Sequence, residues 1–211
     1  MAVSQQHFFL YLICVSIVGA FDAYNSIVRL KPDNNKNDNQ RSESNKSKKK
    51  SGQSKDQGTL TLIYLAKFVP NILAIVIYYF FQNTHYSSLL PSSLSVVLGV
   101  TTFIAGFLIR QIAIMQLGKF YTYKVSISDD HQMIDTGLYA YMRHPAYTGT
   151  FLELTGAALL YNHWILTWFL SLLYLVVVLK RIQEEEKALI DEFGPKYQAY
   201  MKRAGMFLPK F

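Results

Sequence analysis

The chain has 211 residues, about half of them apolar, and its 21 Lys and Arg against 14 Asp and Glu give a net charge of +7. The apolar residues fall in blocks of roughly twenty, long enough to cross about 30 Å of hydrocarbon as helix, which excludes a soluble α/β enzyme built from shorter amphipathic stretches. No basic helix interleaved with stacking aromatics occurs, so the excess charge reads as membrane topology rather than nucleic-acid binding, and a lone Cys14 excludes a disulfide framework or a cysteine zinc site.

The first apolar run, Phe8 to Ala20, continues less cleanly through Asp22 to Leu30. Met1 to His7 hold no Lys or Arg, which favours a retained transmembrane helix over residues 1–30 against a cleaved signal ending near Ala20. Residues 31–58, rich in Asn, Ser and Lys, cannot bury enough surface to offset ordering entropy and are expected to form a disordered basic loop. Their eight Lys and Arg against four Asp and Glu place that loop on the cytosolic side. Residues 59–110 hold a second span, Thr59 to Phe81, and a third, Ser92 to Ile109. Lys67 is expected to snorkel to the surface, Pro70 and Asn71 to kink their helix, and Arg110 and Lys119 to mark the return to the cytosol. Two shorter runs, Thr148 to Leu160 and Ile165 to Leu179, predict a tight hairpin of thin or tilted spans across Tyr161-Asn162-His163-Trp164. Neither loop 82–91 nor loop 161–164 contains a charged residue, and every loop with Lys or Arg falls on the other side. The pattern predicts an all-α, polytopic membrane protein of about five spans, with a lumenal N-terminus and a cytosolic C-terminus. The polar stretch 119–143 then faces the cytosol and is the natural place for chemistry, so any catalytic region is expected within 111–211.

Two constellations could carry chemistry. The first runs from Gly137 to Gly149 and contains Arg143-His144-Pro145-Ala146-Tyr147. Pro145 suits the first turn of a helix, with His144 at the cap, and the free N–H groups beyond would present a carboxylate-binding end to the cytosolic surface. The same residues also read as interfacial anchors and an aromatic belt. The second is Arg181-Ile182-Gln183-Glu184-Glu185-Glu186, in which Arg181 and Glu185 share a helical face. A cation beside carboxylates suits joining a carboxylate to a cationic donor; taken alone, it also reads as a solvated helix end. Glu153, flanked by Gly149 and Gly156, and Arg110 are expected to form a structural pair inside the membrane. His131 and His144 lack a zinc-ligand pattern, and no metal is assigned.

Together these residues resemble the isoprenylcysteine carboxyl methyltransferase family over about Arg110 to Leu208. The resemblance includes Leu117-Gly118, His131 to Ile134, Gly137-Leu138-Tyr139, Arg143 to Tyr147, Arg181, Glu184 to Glu186, Leu189-Ile190, Phe193-Gly194, Tyr197 and Tyr200. It implies a multi-pass enzyme of the endoplasmic reticulum membrane, with its active site in the cytosol. That enzyme would use S-adenosyl-L-methionine to methylate the C-terminal carboxylate of prenylated cysteine in CaaX-processed proteins drawn from the surrounding membrane lipid. It further implies that His131, Gln132, Met133, Ile134, Tyr139, His144, Pro145, Ala146, Tyr147 and Glu185 hold the cofactor, and that Arg181 meets the acceptor carboxylate. Where animal-type enzymes carry a cofactor-contacting glutamine, this chain has Lys124, which departs from the pattern because the donor is cationic at sulfur. The insert 31–58 is likewise outside the family pattern. Related membrane methyltransferases that act on a phospholipid amine share the acidic pair, but an amine gains nothing from Arg181. Sterol-reductase-like NADPH enzymes share an Arg-His-Pro-x-Tyr-like element, but not the triple glutamate. A non-enzymatic scaffold would leave 119–143 without a purpose.

Overall fold

The computed structural model describes residues 5–29, 59–80, 90–121 and 133–210. The basic loop 31–58 and most of the 82–91 loop lie outside them. The described residues form six α-helices, α1 (Gln5–Arg29), α2 (Thr59–Phe80), α3 (Ser92–Leu117), α4 (Pro145–Tyr161), α5 (Trp164–Phe193) and α6 (Pro195–Arg203). Single 3-10 turns at Gly118–Phe120 and Gly137–Ala140 flank the polar stretch. The chain is a multi-pass membrane protein, and α1, α2 and α3 are each long and apolar enough to cross a bilayer.

The frame is the α3–α4 contact. Gly99 and Gly106 on α3 and Gly149 and Gly156 on α4 are spaced two turns apart, so each pair lies on one side of its helix. A methyl group at Gly156 would fall 2.4 Å from the backbone nitrogen of Phe103, and one at Gly149 would fall 2.7 Å from that of Arg110. With side chains absent on both faces, the backbones meet directly. That is how helices gain packing energy where lipid removes the hydrophobic drive to associate. The small face expected around Glu153 is this contact.

The end opposite the polar stretch is closed by polar and aromatic links. Asn162, in the left-handed conformation that ends α4, donates through Nδ2 to Leu90 O (3.0 Å) and accepts from Leu90 N–H at Oδ1 (3.1 Å). Leu90 and Asn162, one from each charge-free stretch, therefore meet at one end. There the His7 ring bonds to Leu160 O (2.7 Å) and Ser92 Oγ (2.6 Å), and the Tyr161 hydroxyl donates to Ala74 O (2.9 Å). Phe8 stacks on Tyr78 with centroids 3.7 Å apart. These links hold α1 and α2 against α3 and α4.

Two expectations are corrected. Lys67 does not snorkel: its ammonium lies inside the bundle, 3.0 Å from Asp22 Oδ2, because a membrane-buried carboxylate offers it more than the distant surface. Arg110 does not end the third span, since α3 continues to Leu117 and Arg110 is buried at 2% exposure. The Arg110–Glu153 pair is present at 3.5 Å, and Arg110 also bonds to Asp22.

Filling the glycine contact tests this frame. Gly156→Leu is expected to force the α3 and α4 backbones apart and to cost about 1–3 kcal/mol. The loss would appear as a lower melting temperature of the detergent-purified chain, while a wild-type melting curve would refute direct backbone contact.

Candidate functional site

At the end of the bundle away from Asn162, the close of α3, the start of α4 and the polar extension of α5 converge. Pro145 occupies the first turn of α4 with His144 at its cap, as the sequence implies, and the N–H groups of Tyr147 and Thr148 fold back on His144 O (3.1 Å each). The α5 helix runs without a break past its apolar run, so Arg181 and the three glutamates stay on a rigid rod.

The two sequence constellations meet. The Tyr147 hydroxyl, from the first, donates to Glu185 Oε2 of the second at 2.9 Å. The Arg181 side chain, 2% exposed, lies beside the same hydroxyl. A phenol, a carboxylate and a guanidinium thus lie together at this end of the bundle.

The three glutamates differ in what they touch. Glu184 takes Lys187 at 2.9 Å, a surface pair worth only a few tenths of a kcal/mol. Glu186 points inward and receives Arg143 Nε at 2.7 Å and the His144 ring at 3.0 Å. Burial alone would raise the Glu186 carboxyl, but the hydrogen bonds and charge of His144 and Arg143 outweigh it and hold the group below the ordinary carboxylate value. Glu185, between them, is half-buried and bonded to Tyr147.

Arg143 also fastens the C-terminal segment. Its Nη1 donates to Met201 O (3.2 Å) and Ala204 O (2.6 Å), and its backbone N–H to Gly205 O (2.7 Å). Residues 204–210 follow as a strap along 141–148. Gly205 and Lys210 N–H donate to Tyr141 O, His144 N–H to Met206 O, and the Thr148 hydroxyl to Phe207 O (3.0 Å). The interfacial-anchor reading of Arg143 is therefore replaced by an internal clasp. This role was missed in the sequence, where Arg143 was visible only as part of a motif.

The 137–140 turn sits on α3 through Gln116, whose Oε1 accepts from Leu138 N–H at 3.0 Å. Gly137 has φ +61°, which favours glycine, and a Cβ there would displace the Gln116 amide. Tyr139 is buried, its hydroxyl on Ala113 O (3.4 Å), and its carbonyl accepts from the Tyr200 hydroxyl (2.6 Å). Met133 packs with Tyr197, Tyr200, Leu189 and Ile190. Met133, Ile134, Ala146 and Tyr147 are partly buried, Pro145 fully so, and His144 is 5% exposed with its ring turned to Glu186. Of the anticipated cofactor residues, His131, Gln132 and Lys124 lie outside the described residues.

Residues 97–191 match the isoprenylcysteine carboxyl methyltransferase (ICMT) family, which bears out the resemblance read from the motifs. The chain is 32% identical over 106 residues to the protein-S-isoprenylcysteine O-methyltransferase of Schizosaccharomyces pombe, covering 49% of this chain and 45% of that one. It is 34% identical over 131 residues to that of Saccharomyces cerevisiae, covering 59% and 53%. The chain thus spans about half the length of the curated relatives it matches. Among solved structures, the eukaryotic intramembrane Ras methyltransferase ICMT superposes with a TM-score of 0.57 at 25% identity, covering 69% of this chain and 51% of that one.

The Glu186 clasp carries a pH signature. A carboxyl held low in the folded state contributes stability above its unfolded pKa, and loses it as pH falls through the folded value. The melting temperature is therefore expected to drop more steeply below about pH 5 in the wild type than in Glu186→Gln. Parallel curves would mean that Glu186 is not engaged by Arg143 and His144.

Proposed function

We propose that this chain, whose residues 97–191 match the isoprenylcysteine carboxyl methyltransferase family, methylates the C-terminal carboxylate of prenylated cysteine. The donor on this reading is S-adenosyl-L-methionine. The observation that supports this reading is the Tyr147 hydroxyl on Glu185 beside Arg181, a cation and a carboxylate together at one end of the bundle.

The residues suit such a donor. A partly exposed carboxylate at Glu185 complements a cationic sulfur, and the apolar Met133 and Ile134 complement a ring. Met133, Ile134, Tyr139, His144, Pro145, Ala146, Tyr147 and Glu185 would hold it, joined by His131 and Gln132. Lys124 would be no asset there. When bound, the donor supplies an electrophilic methyl group on a sulfonium.

The chain's own work is positioning. An acceptor carboxylate is ionised at neutral pH and needs no general base. Arg181 can hold it bidentately in a fixed plane, which a lysine could not. Tyr147 fixes the Glu185 carboxylate before reaction, so little reorganisation is left for the transition state. The buried seam formed by Glu186, Arg143 and His144 fixes where α4 begins relative to α5. Holding the reacting groups at contact distance from one another is where such a site gains its rate. The acceptor's prenyl chain would stay in the hydrocarbon, which accounts for a methyltransferase built into a membrane. On this reading α4 and α5 complete five spans, and the mouth opens to the cytosol at the endoplasmic reticulum. A phospholipid amine as acceptor is disfavoured by Arg181, a cation where the substrate would itself be cationic.

Transfer of labelled methyl to N-acetyl-S-farnesylcysteine by the purified chain tests this reading. Arg181→Ala and Glu185→Ala are each expected to lose roughly a hundredfold in turnover while eluting as folded protein. Wild-type turnover in either variant, or no transfer by the wild type, would overturn it.

A further inference from the structure

Four charged side chains meet inside the bundle, one from each of its first four helices. Lys67 on α2 lies 3.0 Å from Asp22 on α1, Asp22 bonds to Arg110 on α3, and Arg110 Nη1 lies 3.5 Å from Glu153 on α4. The signs alternate and sum to zero. Glu153 and Arg110 side chains are only 1% and 3% exposed, so removing Asp22 or Glu153 leaves the buried Arg110 short of counter-charge.

The ladder is divided between two parts of the chain. Arg110 and Glu153 fall inside the family-matching segment 97–191, while Asp22 and Lys67 fall outside it. The pair within that segment is the loose rung: at 3.5 Å it is an ion pair, but neither Glu153 oxygen has a hydrogen bond. The tight bonds to Arg110 and Asp22 come through the N-terminal helices.

The ladder also lies close to the mouth. Glu153 is less than two turns from Tyr147 along α4, about 9 Å, and Arg110 about 10 Å from the end of α3 at Leu117. Ala66, next to Lys67, packs in the same cluster as Tyr147, Val178 and Ile182, so contact runs unbroken from α2 to the residues flanking Arg181. The direct backbone contact of α3 and α4 leaves little give between ladder and mouth.

We infer that Asp22 and Lys67 are positioning residues for the site: the first two helices set the seat of Arg110 and Glu153, and through it the placement of Tyr147 at the start of α4. This rests on the function proposed above for its kinetic readout, but not for its conformational one.

The test uses the full chain in detergent. Asp22→Glu keeps every charge and lengthens one arm; Asp22→Asn strands the cations; Asp22→Asn with Lys67→Met removes one charge of each sign. Hydrogen exchange over residues 145–153 and acceptor kcat/KM are measured well below each melting temperature. Asp22→Glu is expected to melt near the wild type, yet to exchange faster at the start of α4 and to lose about fivefold in kcat/KM. Asp22→Asn should be worse, and the double variant should recover its melting temperature, because charge balance returns, but not the slow exchange at the start of α4 or the wild-type kcat/KM, because the link to Arg110 is gone. Unchanged exchange over 145–153 in folded Asp22→Glu, or wild-type exchange there in the double variant, overturns the inference. A wild type that transfers no methyl sinks the proposed function instead, and exchange alone then decides the ladder.

Discussion

The backbone contact between α3 and α4 is the constraint from which the site follows. Glycines on both faces let the helices meet without side chains between them, so their relative register has little freedom. That register brings Arg110 to Glu153 within the membrane and carries the end of α3 up to the 137–140 turn. There Gln116 takes Leu138 N–H in the space beside Gly137, which a Cβ would crowd. The start of α4 is thus fixed from below by the helix it lies on and from beside by the turn that leads into it.

On that base, three adjacent glutamates take three roles. Glu184 faces out to Lys187, Glu186 faces in and is consumed by Arg143 and His144, and Glu185 stands between them with the Tyr147 hydroxyl on its carboxylate. A helix presents successive residues about 100° apart, so a run of three identical side chains can address solvent, site and scaffold at once. Arg143 extends the scaffold by drawing in the carbonyls of Met201 and Ala204. The C-terminal strap then lies over the approach to α4. Structural charge is spent at Glu186 so that charge at Glu185 can face the mouth.

Much of this was legible in the sequence, and the rest has identifiable reasons for staying hidden. Apolar runs marked α1 to α5, and for α1, α2 and α3 the runs are long enough to cross hydrocarbon, a length set by the bilayer rather than by their partners. Charge-free loops marked one end of the bundle, and Pro145 marked the start of α4. The small face around Glu153 implied a close neighbour, and Arg110 was a natural partner because few charges lie in the apolar runs. Lys67 misled because its stem permits either snorkelling or burial; its choice depends on Asp22, 45 residues away and on another helix. The clasp from Arg143 to Glu186 spans 43 residues, and the strap's bonds are largely to backbone carbonyls, which no side-chain pattern announces. Motif residues at 137–147 and 181–186 were visible as groups. Which of them face each other, and which face the scaffold, depended on the helix register.

The central claim is that the mouth shared by Tyr147, Glu185 and Arg181 accepts a sulfonium donor. Equilibrium binding of labelled S-adenosylmethionine to the detergent-purified chain addresses it most directly. The account predicts saturable binding that S-adenosylhomocysteine displaces and that Glu185→Ala weakens. Absence of saturable binding, or binding indifferent to Glu185, would contradict it.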